Sequence, residues 1–217
     1  MKNIEKPPTE VYHGTTTVGL VYKQGVVLAT DTRVTAGHLF IAHKTGKKIY
    51  QIDDHLAMTI AGVVADAQNI IDILRYQSGI YKLEMRSPLS VKSAARMASN
   101  TFFSSRLFPL IADVLMGGFD KSGPSIYNVD FFGTLTEEKC VSTGSGSPVA
   151  YGVLETEYNE GLNLQGAVTL AAKAVTAAMK RNAGTGDSFN IAVIDKDGYR
   201  ELSDAEKNES LGNIPRR

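Results

Sequence analysis

HGTTTVGL, residues His13–Leu20, sets three threonines directly after a glycine, at the end of a charged leader that contains Pro7 and Pro8. Thr and Val suit a strand, and Gly marks the turn that opens it. A second reading is chemical. Cutting the Gly14–Thr15 bond would create a new N-terminus whose first side chain is a hydroxyl, and an N-terminal Thr carries a nucleophile and its own base on one residue. The stretch alone leaves both readings open.

Upstream of it, residues 1–13 read as detachable from the fold. Downstream, TTTVGLVY and VVLAT flank the turn Lys23-Gln24-Gly25 and form a hairpin. Leu39–Ala42 and Lys48–Ile52 flank HKTGKK, and Leu56–Ala61 is another apolar strand. From Asn69 to Leu83 the apolar residues recur at helical spacing, with Asp72 and Arg75 on the other face. Ser87-Pro88 ends that helix and opens a second, Leu89–Arg106. Ile111–Met116 and Ser125–Phe132 are strands, Pro148–Tyr158 and Leu164–Arg181 helices, and Phe189–Ile194 and Tyr199–Leu202 a final hairpin. The Lys-, Glu- and Asn-rich tail is expected to fray. Paired helices between groups of strands argue against a parallel βαβ repeat and for a layered α+β domain.

At 217 residues the chain fits one domain and can bury roughly 70% of its unfolded surface, enough to fold without disulfides or metal. Lys plus Arg and Asp plus Glu are 23 each, so net charge gives no drive towards nucleic acid or an anionic membrane. The single cysteine, Cys140, excludes an intrachain disulfide and fits a reducing compartment. No apolar run approaches the ~20 residues that span a bilayer, and the N-terminus has no secretory h-region, so a cytoplasmic place is expected. His13, His38, His43 and His55 lie in no ligand-spaced motif, so neither metal nor cofactor is expected. GSGS at 144–147 precedes a helix but lacks the lysine of a phosphate loop.

Other polar groups are weak signals singly: Asp31 beside Arg33 at a strand end, the basic turn Gly46-Lys47-Lys48, and Gly62 closing AMTIAG. Taken in order with spacing kept, GTTTVG, ATDTRV, GKKIYQID, MTIAG with ADAQ, STGSGSP with YGVLE, and KRNAGTGD resemble the proteasome core β subunits of archaeal type. The similarity runs from Gly14 to about Leu202.

That resemblance implies an N-terminal nucleophile hydrolase: two antiparallel sheets stacked face to face between helical layers, an αββα sandwich. It makes residues 1–14 a propeptide cleaved at Gly14–Thr15 and residues 15–217 a single catalytic domain. Thr15 becomes the nucleophile of a threonine peptidase, Lys48 its neighbour, Asp31 the partner of Lys48, Gly62 the oxyanion donor, and Ser145 the holder of the amine. Thr35 binds an extended substrate. Val34, Ile60 and Val64 line the specificity pocket, and all three being apolar implies cutting after large apolar residues. The family's late Asp and Ser are here Asn182 and Thr185. Thr keeps the hydroxyl, whereas Asn gives up a charge-assisted bond worth ~1.5–3 kcal/mol, a slowing of roughly ten- to hundredfold unless the local network is built differently. The implied partners are α subunits, other β subunits in stacked seven-membered rings, a regulatory ATPase and unfolded polypeptide, with no nucleic acid and no membrane. A non-catalytic β subunit working beside an active sister chain is the alternative.

Overall fold

A computed structural model describes residues 14–36 and 40–212. The leader 1–13, with His13, and also His38 and Leu39, lie outside the described residues. In chain order the elements are β1 (Thr17–Tyr22), β2 (Gly25–Asp31), β3 (Val34–Ala36), β4 (Phe40–His43), β5 (Ile49–Asp53), β6 (Leu56–Gly62), α1 (Val64–Met85) and α2 (Val91–Ser104). They continue with β7 (Ala112–Asp120), β8 (Gly123–Val129), β9 (Leu135–Glu138), β10 (Cys140–Thr143), α3 (Ser147–Glu157), α4 (Leu164–Arg181), β11 (Phe189–Asp195), β12 (Gly198–Glu201) and α5 (Asp204–Gly212).

Two five-stranded sheets, β10-β1-β2-β11-β12 and β5-β6-β7-β8-β9, are antiparallel at every pairing, and β3-β4 forms a small hairpin apart. Side chains alternate across each sheet, so each sheet has two faces to cover. Val18, Leu20, Val27, Ala29 and Ile191 pack under α3 and α4 against Leu154, Ala171 and Val175. Val26, Leu28, Ala57, Leu115, Ile126, Val141 and Ile194 meet between the sheets. Met58, Ile60, Val114 and Val129 pack under α1 and α2 against Ile70, Leu74 and Phe102. Three apolar seams separate four layers, the αββα sandwich of an α+β domain. β1 and β2 sit mid-sheet with both faces covered, and every one of their residues is buried. That is why they read as continuous apolar runs rather than alternating ones.

The structure corrects the sequence reading in four places. α1 begins at Val64, five residues before the expected Asn69, immediately after the strand that ends at Gly62. β9 and β10 were not expected; β9 is an edge strand whose Thr136 and Glu137 are exposed, so it carries little apolar signal. β3 was also unexpected, being only three residues long with an irregular register against β4. The tail does not fray over 204–212. Ser203 and Glu206 close a capping box, with Ser203 N and Oγ both donating to Glu206 Oε2 at 2.8 Å, and Leu211 packs against the cluster beneath α4.

Candidate active site

Thr15 lies just before β1, in the chain that leads into the middle of the first sheet. Pairing of Thr17 with Thr30 brings the end of β2 alongside, and Asp31 is wholly buried there. Its carboxylate accepts four donors: Thr16 N at 2.9 Å and Lys48 Nζ at 2.8 Å on Oδ1, and Arg33 N and Gly186 N, both at 3.1 Å, on Oδ2. A buried carboxylate is tolerated only when so fully bonded and paired. Lys48 comes in from the segment before β5, anchored by its carbonyl accepting Ile60 N at 3.0 Å. Its ammonium donates to Thr15 Oγ1 at 3.0 Å. Burial pulls the Lys48 pKa below the ordinary lysine value of 10.5, opposed by the Asp31 charge.

On the other side of Thr15, the turn after β10 supplies Ser145. Thr15 N donates to Ser145 Oγ at 3.3 Å, and Ser145 Oγ donates to Asn182 Oδ1 at 3.0 Å. Asn182, at the C-terminal end of α4, also accepts from Thr185 Oγ1 at 3.0 Å, and its Nδ2 donates to the Ser145 carbonyl at 3.0 Å. With the Thr185 hydrogen committed to Asn182, Thr16 Oγ1 donates to Thr185 Oγ1 at 2.8 Å. The result is a chain of hydroxyls and one amide linking Thr16 to the Thr15 nitrogen. Gly146 permits the close approach, because a Cβ there would meet Thr16 Oγ1 at 2.0 Å. Gly62 ends β6 at φ +136°, a backbone region that side chains avoid, and a Cβ there would meet the Ile111 carbonyl oxygen at 2.3 Å.

The Thr15 hydroxyl also reaches back to the residue before it. Thr15 Oγ1 donates to the Gly14 carbonyl oxygen at 2.7 Å, and Gly14 N donates to Thr35 Oγ1 at 2.9 Å. Gly14, Val34, Thr35, Ile60, Gly62 and Val64 line one pocket with Thr15 and Lys48. Every site residue expected from the sequence therefore lies in this one region. Lys47, read from the sequence only as part of a basic turn, and Tyr50, which was not singled out, also line the pocket, and Thr16 was given no role of its own. Arg33 does not pair with Asp31 through its guanidinium. Its Nε donates to Asp187 Oδ2 at 2.9 Å and its Nη1 to the Ala183 carbonyl at 2.8 Å, strapping the 183–187 loop to the end of β2. Burial pushes the Cys140 thiol up to about 12, which keeps it protonated. Among the described residues no group of His, Cys, Asp and Glu is placed to hold a metal, and no helix is long and apolar enough to cross a membrane.

Residues 11–194 match the family described as proteasome subunit. The chain belongs to the proteasome subunit family. It is 51% identical over 205 residues to proteasome subunit beta 2 of Nitrosopumilus maritimus (strain SCM1), covering 94% of this chain and 96% of that protein. It is 49% identical over 205 residues to proteasome subunit beta 2 of Cenarchaeum symbiosum (strain A), with the same coverage. To the proteasome subunit beta of Methanohalophilus mahii it is 45% identical over 202 residues, 93% of this chain and 96% of that one. The expected likeness to archaeal β subunits thus extends over nearly the whole proteasome chain.

Proposed function

We propose that this β subunit is a threonine-type endopeptidase of the proteasome core, with Thr15 as nucleophile once residues 1–14 are removed. The observation that carries the reading is the placement of Lys48 Nζ, 3.0 Å from Thr15 Oγ1 and 2.8 Å from Asp31 Oδ1. A cation held by a buried carboxylate stabilises an alkoxide, and a lysine with lowered pKa exchanges a proton readily.

In the precursor, Thr15 Oγ attacks the Gly14 carbonyl carbon and gives up its hydrogen. The Gly14–Thr15 C–N bond breaks, and the Thr15 nitrogen leaves as an amine, taking a proton on the side of Ser145. Water hydrolyses the resulting ester and frees the leader. On a substrate the cycle repeats. The free α-amine, of pKa ~7.7–8.0, takes the Thr15 Oγ proton, the alkoxide attacks the peptide carbonyl, and the protonated amine returns its proton to the leaving nitrogen. Water then cleaves the acyl ester. Gly62 N–H would stabilise the tetrahedral oxyanion, an effect worth ~3–4 kcal/mol. Thr35 would hold the substrate backbone, and Val34, Ile60 and Val64 favour a large apolar residue before the cut. Asn182 and Thr185 would orient Ser145.

In this reading the subunit assembles in seven-membered β rings stacked on α rings, receives unfolded chains from an ATPase, and works in the cytoplasm. A non-catalytic β subunit beside an active sister is less well supported, because Asn182 keeps Ser145 hydrogen-bonded without a charge. Assembled particles carrying the native chain or Thr15→Ala, assayed on fluorogenic peptides ending in Leu, Tyr, Glu or Arg, test the proposal. Activity on Leu and Tyr that vanishes in the variant supports it. Activity that survives Thr15→Ala, or is best on Glu or Arg, refutes it.

A further inference from the structure

A second cavity, of about 590 Å³, opens between the sheets on the far side of the Gly62–Ser145 rim. Asp113 of β7, Asn128 of β8 and Asp130 just after β8 all line it. Asp113 stands two residues before Leu115, which packs between the sheets, so both project from the same face of their strand. Asn128 is paired with Leu115 across the ladder and shares that face. The lining contains two carboxylates and no Lys, Arg or His.

Its hydrogen-bonding is lopsided as well. The Ser142 hydroxyl donates to the Thr17 carbonyl at 2.6 Å, Thr143 Oγ1 is bonded to Thr17 Oγ1 at 2.7 Å, and Ser145 Oγ donates to Asn182. Asn128 Oδ1 is wholly buried with no hydrogen-bond partner. Asp113 takes the Phe131 N–H but still has acceptor capacity, and burial, helped by the charge of Asp130, raises its pKa. The acceptor capacity left on Asp113 is what a ligand bearing donors would satisfy. Ile111 and Phe131 add apolar wall that suits the methylenes of a long cationic side chain.

The position of the cavity relative to the cut decides which part of a substrate reaches it. Gly14, whose carbonyl is the acyl group, lines the first pocket and not this one. The leaving nitrogen, Thr15 N, faces Ser145, which lines this one. We infer that this cavity is a leaving-group subsite that selects a basic residue, Lys or Arg, directly after the cut bond, with Asp113 as its specificity-determining side chain. The inference rests on the peptidase reading above.

Asp113→Asn tests it, because the amide oxygen can still take the Phe131 N–H. Asp130 is unsuitable, since its Oδ1 holds the turn through Phe132 N and Thr134 N. Assembled, processed particles are given three internally quenched peptides that differ only in Lys, Ala or Glu after the cut, and a coumarin amide of the same acyl sequence. kcat/KM is expected to be at least about fivefold higher for Lys than for Glu. Asp113→Asn removes that preference, and a peptide epoxyketone, which carries no leaving group, still labels Thr15 in the variant. Equal rates for Lys and Glu, or a preference that persists in the variant, overturn the subsite. Failure to cut even the coumarin amide is failure of the peptidase reading, and the subsite is then judged by binding. A labelled Lys-Ala-Ala peptide that binds more tightly than Glu-Ala-Ala, and loses that advantage in Asp113→Asn, supports it; equal binding overturns it.

Discussion

Asn182 and Ser145 exchange two hydrogen bonds: the serine hydroxyl donates to Asn182 Oδ1, and Asn182 Nδ2 donates back to the serine carbonyl, both at 3.0 Å. A carboxylate at position 182 has no hydrogen to return. The network around Ser145 is thus built for an amide, and the family's aspartate would set a lone pair against the Ser145 carbonyl oxygen. Asn182→Asp is expected to lower kcat by about tenfold, the loss of one hydrogen bond and a repulsive contact. A tenfold gain would show that the charge lost at this position matters more than the bond gained.

Asp31 neutralises Lys48 where neither reaches water, the two side chains being 0% and 7% exposed. Removing the carboxylate strands the ammonium. Asp31→Ala is expected to cost about 3–5 kcal/mol in urea unfolding of the unassembled subunit. It also abolishes leader removal. A loss below about 1 kcal/mol, the range of a solvated surface pair, would contradict this.

The pH profile carries the sign of the Lys48 shift. Burial lowers its folded pKa below 10.5, so the folded state releases the proton before the unfolded chain does. In the window between the lowered value and 10.5 the unfolded state binds more protons, and stability gained from this group rises with pH. Activity moves the opposite way, because the neutral amine no longer stabilises the alkoxide. kcat/KM is expected to rise through the α-amine pKa of ~7.7–8.0 and fall again at a pH below that of an ordinary lysine. A profile still flat at the ordinary lysine value would remove Lys48 from the mechanism.

Gly14 touches Gly184 so closely that a Cβ on Gly14 would lie 2.1 Å from Gly184 Cα, backbone against backbone. Gly14→Ala should displace the Gly14 carbonyl from Thr15 Oγ1 and, on the proposed mechanism, slow leader removal at least about tenfold, by time-resolved mass spectrometry. A chain expressed with Thr15 as its first residue escapes the effect, since residue 14 is absent. Equal processing rates for the native and Gly14→Ala chains would contradict the alignment of the two groups.

What the sequence disclosed and what it hid divide along physical lines. β1, β2 and the helices carry strong periodicity or continuous apolar runs, and Thr15, Asp31, Lys48 and Ser145 fall in short motifs at strand ends. Thr16 was hidden because its partner, Thr185, stands 169 residues away. Asp113 was hidden inside a segment that reads as an apolar strand. α5 was hidden because its charged composition suggested a frayed end, and the Ser203–Glu206 capping pair that opens it was the missed signal.

The most direct test is the intact mass of this chain after assembly into core particles and treatment with a peptide epoxyketone. That reagent closes its morpholine ring only on a residue offering both a free α-amine and a hydroxyl. A mass lacking residues 1–14 and carrying one adduct is the expected result. An intact leader with no adduct would leave Thr15 a buried residue ahead of β1 and make the chain a structural subunit of the core particle.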